Sequence, residues 1–266
     1  MVLSCDRYVI GFLLGMAAVG IYAAAYGIGS LIYAYMGVLT LPLQATLSHL
    51  YDEGRMEEVK NHLSYSVKYL LALTIPFVFG AVVLEQPLLT FLTTSEIATQ
   101  GRFVLPLAAL ATLVLGIHNI IYHVLLLTRK TAIIGITWMG AAVLNVGLNI
   151  VAVPRIGIVG AAITTLVVFI LVTAITNYYS FKEIKFKTDW YFIIKSVAAS
   201  VIMSGVVWWL HPQGDRSVIG AVLLGVVVYG LAIFLMRGFS QTEISLFRGL
   251  MRRSIRIATL ENERRD

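Results

Sequence analysis

Eight apolar stretches, each near the length that crosses a bilayer, follow one another along residues 1–236 with only short polar connectors between them. A span takes about 20 mostly apolar residues. By that measure the stretches cover 1–17, 19–47, 63–84, 103–127, 132–153, 158–179, 190–210 and 218–236. The first is short and carries Asp6 and Arg7. The pattern predicts an all-α fold, a polytopic transmembrane helix bundle of about seven full spans plus one partial N-terminal span. Connectors at 51–61, 93–102, 128–131, 154–157, 181–189 and 211–217 are short enough to make sequential helices antiparallel neighbours. Composition agrees: apolar residues make up 59% and charged residues 13%, against about 45–50% and 25% in soluble domains. A globule of this composition would lack a polar skin, and a bilayer removes the need for one.

The placement of charge orients the bundle. Alternate connectors, the span ends beside them (Lys68 and Lys195) and the tail together hold sixteen Lys and Arg, and the opposite connectors hold only Arg102, Arg155 and Arg216. Basic residues gather on the cytoplasmic side of membrane proteins. The asymmetry therefore predicts a multi-pass protein of the cell (cytoplasmic) membrane with a cytoplasmic C-terminus. The net charge of +6 then reflects topology and contact with anionic lipid rather than with nucleic acid. Residues 1–236 form the predicted bundle and 237–266 a basic cytoplasmic tail. In that tail Ser240 and Glu243 have capping-box spacing, and Ile244, Phe247, Leu250, Met251, Ile255 and Ala258 recur at helical intervals. The tail is thus predicted to be an amphipathic helix on the anionic inner leaflet or, alternatively, a solvated one.

Several chemistries find no support. Cys5 is the single cysteine, which rules out an internal disulfide and a cysteine zinc cluster. No Walker loop, metal-spaced His/Cys/Glu set or G-x-S-x-G elbow occurs. No catalytic residue, metal site or cofactor is expected, and the chain does not read as an enzyme.

Polar groups inside spans are the candidates for function, because each ionised one costs about 2.5–3.5 kcal/mol on insertion scales. Arg7 reads as a cavity cation for an anionic head group, with Asp6 as its partner or as an ion-coupling acid; an interfacial pair snorkelling into water is the alternative. In the fourth span His118 and Tyr122 share a face, with Asn119 and His123 on the adjoining stripe. They could line a polar path or simply bond between helices. Asn145 and Asn149, one turn apart, read as packing glue, and Tyr22 and Tyr26 as a cavity wall or an aromatic belt. Gly11 and Gly15 form a GxxxG pair suited to close helix packing. Pro42 and Pro76 are expected to kink or end their helices, as broken transporter helices do.

The order of these features resembles a known family. The stretch from Ser4 through Cys5-Asp6-Arg7 to Gly15, followed by Val19 to Tyr26, is similar to the opening of the C-terminal half of polysaccharide and oligosaccharide flippases. These belong to the multidrug/oligosaccharidyl-lipid/polysaccharide exporter superfamily. Leu50–Gly54, Leu125–Thr131 and the Asn145–Thr164 stretch, with its Val-Pro-Arg-Ile-Gly and Gly-Ala-Ala-Ile-Thr elements, extend the likeness up to the tail. The resemblance implies the C-terminal bundle of a MATE-like flippase. Such proteins move lipid-linked oligosaccharide or polysaccharide precursors across the cytoplasmic membrane by alternating access between two bundles. It also implies that Arg7 contacts the pyrophosphate of the substrate, with Asp6 as partner. Only residues 1–5 precede the Asp-Arg element, which lies well inside a helix in the family. The expectation is therefore a fragment, a split gene product or a mis-assigned start, needing a missing N-terminal bundle or a second copy. A multidrug or cation antiporter, a peptidoglycan-precursor flippase and a non-transporting scaffold or remnant stand as alternatives.

Overall fold

The computed structural model describes residues 2–210 and 214–238; the tail helix expected within 237–266 falls almost wholly outside them. The described residues are helical, in the order α1 (Val2–Leu14), α2 (Met16–Gly29), α3 (Tyr33–Asp52), α4 (Met56–Val83), α5 (Glu85–Leu92), α6 (Ser95–Gly101), α7 (Val104–Leu127), α8 (Thr131–Glu183), α9 (Trp190–Leu210) and α10 (Asp215–Leu235). By length and composition five of them can cross a membrane, and six if the bent pair α2–α3 counts as one span.

Helix α8, 53 residues long, would measure about 80 Å if straight, far beyond a hydrocarbon core of about 30 Å. It is instead a hairpin. Ile156 (φ −128°, ψ 17°) and Gly157 (φ 64°, ψ −149°) leave helical geometry. Asn149 and Thr164, on opposite arms, are joined by a 2.7 Å hydrogen bond. The arms pack so closely that a Cβ on Gly160 would lie 2.8 Å from the Ala152 carbonyl oxygen. At the far end Lys130 and Glu183 close the hairpin with a 2.5 Å ion pair. Counted as two arms, α8 supplies two crossings, and the fold is the expected bundle of seven spans with α1 as the short addition.

Three sequence expectations change here. Gly15 does not serve a flat GxxxG interface; at φ 88° and ψ 172° it is the turn between α1 and α2, so that Tyr22 reaches back to Asp6. Nor does Pro42 mark the bend in the second span, since α3 runs through it and α4 runs through Pro76. The 49° bend falls between α2 and α3. There Leu31, Tyr33, Ala34 and Tyr35 make i→i−3 backbone bonds, the tighter 3₁₀ pattern, beside a Gly27–Gly29–Ser30 run that weakens the helix. The expected polar connector 93–102 is also mostly helical, as α6.

Helix α7 is the axis of the bundle. It is the most deeply buried of the long helices, whereas α9 and α10 are the least buried and stand at the periphery. Lipid provides no hydrophobic drive between helices, so close approach of small residues must hold them. A Cβ on Gly29 would come within 2.4 Å of the Leu105 carbonyl oxygen and 2.7 Å of the Ala108 Cβ. Ser180 Oγ adds a 3.2 Å hydrogen bond from α8 to the Ile121 carbonyl. The α9–α10 pair is pinned to α4 by Tyr229, which donates to the Ala72 carbonyl at 2.8 Å and meets Ser196 at 2.9 Å.

Gly157 occupies a backbone region reserved for glycine, where another residue costs about 1–3 kcal/mol. Gly157→Ala is therefore expected to lower the thermal midpoint of the detergent-purified chain, while Gly147→Ala, in open space on the first arm, leaves it unchanged.

Candidate functional site

Asp6 is the centre of a polar cluster inside this apolar bundle, with no exposed surface. Helix α1 carries it against the α8 hairpin, and the Gly15 turn brings α2 back beside it. Its Oδ2 accepts hydrogen bonds from Thr165 Oγ1 at 2.5 Å and Tyr22 OH at 2.9 Å, and its Oδ1 accepts one from Asn149 Nδ2 at 2.8 Å. Asn149 Nδ2 also donates to Asn145 Oδ1 at 3.1 Å, Thr164 Oγ1 donates to Asn149 Oδ1 at 2.7 Å, and Asn145 Nδ2 reaches Thr165 Oγ1 at 3.4 Å. Asn145, Asn149 and Thr165 are fully buried, and Tyr22 is 1% exposed.

Every donor to Asp6 is neutral. Neutral donors satisfy hydrogen-bonding capacity but do not cancel charge, and a lone ionised carboxylate in such surroundings is expensive. A proton or a small cation would relieve it. The oxygens of Asp6, Asn145, Asn149, Thr164 and Thr165 form the hard, all-oxygen set that suits alkali or alkaline-earth ions rather than soft metals. The two amides can present N–H to a bare carboxylate or, turned over, C=O to a cation beside it. Among the described residues no group of three His, Cys, Asp or Glu could hold a metal ion.

Of the residues singled out from sequence, the fold thus gathers Asp6, Tyr22, Asn145 and Asn149. Tyr26 stands next to them, its ring 5.4 Å from that of Tyr22. It also lines a cleft of about 330 Å3 at the α2–α3 bend, with Ser30, Tyr33 and Thr112. Arg7 is elsewhere: its side chain is exposed, while the Asp6 oxygens are taken by the hydroxyl and amide donors.

His118, Asn119, Tyr122 and His123 form a separate group on α7. His118 stacks on Tyr122 at 5.9 Å and meets Trp138 edge-on at 5.2 Å. Trp138 packs in turn on Phe169, at 6.2 Å, so the aromatic pair lies between the histidines and the Asp6 cluster along α8. The Nδ1 atoms of His118 and His123 are buried without a hydrogen-bond partner.

The residues that sequence reasoning missed are Thr164 and Thr165. Their signal was positional: Asn149 stands nearly as far before Gly157 as Thr164 and Thr165 stand after it, so a turn at Gly157 brings them face to face, with Asn145 one helical turn further along.

The family pattern described as MatE matches residues 3–151, which include Asp6, Tyr22, Asn145 and Asn149. Two proteins of Haloferax volcanii are similar over much of the chain. One, named as the probable low-salt glycan biosynthesis flippase Agl15, is 24% identical over 93% of this chain and 52% of its own length. The other, the probable flippase AglR, is 28% identical over 60% of this chain and 34% of its own. Among solved structures, the lipid II flippase MurJ in an inward closed conformation superposes with a TM-score of 0.72 at 20% identity, over 88% of this chain and 50% of that one. That likeness concerns the fold. The chain spans about half the length of Agl15 and of MurJ. Apolar helices and these relatives together make it an integral membrane protein.

The cluster is expected to behave as one unit. Thr165→Val leaves an Asp6 oxygen short of a donor, at a cost of about 1–3 kcal/mol. Combined with Asp6→Asn the losses should fall short of additivity by about 0.5–3 kcal/mol, read by denaturant unfolding in micelles; additive losses would show the two to be independent.

Proposed function

The chain belongs to the MatE family, and from that premise and the buried Asp6 cluster we propose that it is one bundle of a flippase for lipid-linked oligosaccharide or polysaccharide precursors. It acts as a transporter, without enzymatic chemistry, and sits in the cytoplasmic membrane with its C-terminus inside. The observation that carries the mechanism is a buried carboxylate on α1 held by a hydroxyl from α2 and by an amide and a hydroxyl from the two arms of α8. Binding a proton or a small cation there would draw these elements together, and releasing it would free α1 to move. That is the form of a coupling site, since an ion shifts a conformational equilibrium only by binding one state better.

Alternating access takes two bundles. The faces of α1 and of the first α8 arm support a partner: Phe12, Ile136, Met139 and Val143 are all more than 70% exposed. The partner is a complementary N-terminal bundle or a second copy. Arg7, also exposed on α1, would then face the cavity between the bundles as the contact for the pyrophosphate of the carrier lipid. The names of the Haloferax relatives favour a glycan precursor, and the peptidoglycan-type precursor handled by MurJ is the comparison to test against it.

The test is flipping of fluorescent lipid-linked oligosaccharide in vesicles that hold this chain with a complementary bundle, with a lipid II arm run in parallel. Glycan-lipid flipping driven by a sodium or proton gradient is expected, reduced at least tenfold in Asp6→Asn and in Arg7→Ala, on the scale of one lost charge-assisted contact of about 1.5–3 kcal/mol. Flipping indifferent to Asp6, or absent with both lipids, would refute the proposal.

A further inference from the structure

The end of the α8 hairpin away from Gly157 carries positive charge that the protein itself does not answer. Elsewhere on this side basic groups are paired: Lys60 with Glu57 at 2.6 Å, Lys68 with Asp189 at 3.3 Å, and Arg55 with Glu53 and Glu58 at 2.9 and 2.7 Å. At the hairpin end the segments 128–131 and 181–186 hold Arg129, Lys130, Lys182 and Lys185 against Glu183 alone. Glu183 is taken by Lys130. That pair joins the two segments, so Arg129 and Lys182, each next to one of its members, share a corner. Both are exposed, and among the described residues no carboxylate pairs with either.

Both cations are positioned by their surroundings. The Lys182 ammonium stands 4.2 Å from the ring centre of Tyr178 and 5.8 Å from that of Tyr179, and the two rings meet edge-on at 5.4 Å. Ring faces attract a cation without cancelling its charge. Arg129 closes the end of α7: its N–H donates to the Leu126 carbonyl at 3.0 Å, and the Lys130 N–H to the Leu125 carbonyl at 2.8 Å. Its φ is 58°, a conformation that helix ends usually give to glycine. Glycine would serve this turn at less cost, so what the arginine contributes is its charge.

From this corner an apolar track runs along the second arm of α8. Val167, Ile170, Leu171 and Ile175 are exposed and lead, by helical spacing, to the exposed Tyr178 and Tyr179, while Thr165 and Phe169 on the other face are buried. From Val167 to Tyr179 the helix rises about 18 Å, close to the half-thickness of a hydrocarbon core, about 15 Å. Tyrosine in such a place sits at headgroup level. An apolar track one leaflet deep, phenol rings at its rim and unanswered cations beyond them together describe an anionic phospholipid. Free phosphate would leave the track bare, and a zwitterionic lipid brings no net charge to the cations.

We propose that this end of the α8 hairpin binds one anionic phospholipid of the inner leaflet. Its phosphodiester sits between Arg129 and Lys182, its glycerol against Tyr178 and Tyr179, and one acyl chain along the track to Val167. One cation comes from the turn before the hairpin and the other from its last turn, so the lipid clasps the hairpin beside the Lys130–Glu183 pair. The proposal rests on the cytoplasmic placement of this end and is independent of what the bundle transports.

Native mass spectrometry of the detergent-purified full chain tests this, with phosphatidylglycerol and phosphatidylcholine of the same acyl chains as probes. One phosphatidylglycerol is expected to bind at least fivefold more tightly than phosphatidylcholine. Arg129→Gly and Lys182→Gln should each weaken it about fivefold, the effect of one basic residue at a membrane surface. Lys60→Gln, at a paired site, should leave it unchanged. In nanodiscs the thermal midpoint should rise when phosphatidylglycerol replaces phosphatidylcholine. The double variant Arg129→Gly/Lys182→Gln should lose that rise while matching the unaltered chain in phosphatidylcholine, which separates lost binding from lost folding. Equal affinity for the two lipids, a midpoint indifferent to them, or equal weakening by Lys60→Gln and Lys182→Gln would overturn the proposal. Displacement of phosphatidylglycerol by an equal concentration of glycerol 3-phosphate would also overturn it, because the track would then be idle. So would tighter binding of polyprenyl phosphate than of phosphatidylglycerol, which would assign the corner to a carrier lipid.

Discussion

A carboxylate with no exposed surface, answered only by neutral donors, sets the terms for the rest of this bundle. Asp6 cannot stay buried unless three separate stretches of chain converge on it. The Gly15 turn, the Gly157 turn and the close fit of the α8 arms at Gly160 are what make that convergence possible. Remove the turns and the donors scatter; remove Asp6 and the hairpin hydroxyls and amides lose the acceptor they face. Conformation and charge are thus linked at one point, which is the requirement for ion-coupled movement.

The remainder of the fold serves to hold that point steady while leaving something free to move. Helix α7 is locked to its neighbours by small-residue contacts and by hydroxyls that reach its carbonyls. Helices α9 and α10 are pinned at Tyr229 and at the Lys68–Asp189 ion pair, 3.3 Å apart. By contrast α1 is short, is held to α8 through Asp6, and exposes Tyr8 and Phe12 on its other face. The α2–α3 bend is the second soft place, and the cleft sits there.

Much of this was legible in the sequence because the bilayer imposes a coarse rule. Apolar runs of fixed length mark spans, and basic connectors mark sides, so the helical bundle and its order followed directly. The hairpin in α8 was foreshadowed by the Pro-Arg-Ile-Gly break. Pairing across the bundle was not legible. Asp6 was read beside Arg7 because the two are adjacent in sequence, yet helical geometry turns neighbours to different faces, and its partners come from 16 to 159 residues away. Thr164 and Thr165 gave no local sign, since threonine in a span more often bonds its own helix, as Thr74, Thr112 and Thr173 do here. The bend was misplaced for a related reason: proline is the familiar breaker, but a Gly-Ile-Gly-Ser run loosened the helix first.

The central claim is that the Asp6 cluster binds a proton or a small cation and that the fold feels it. The most direct measurement is the thermal midpoint of the purified chain as a function of sodium and of pH, alongside Asp6→Asn. Ligand that binds only the folded state stabilises it by about 2.7 kcal/mol at a hundredfold excess over Kd. The account predicts that the midpoint rises with sodium or on acidification in the unaltered chain, and that the rise vanishes in Asp6→Asn. A midpoint indifferent to both ions, or one that responds equally without Asp6, would contradict it.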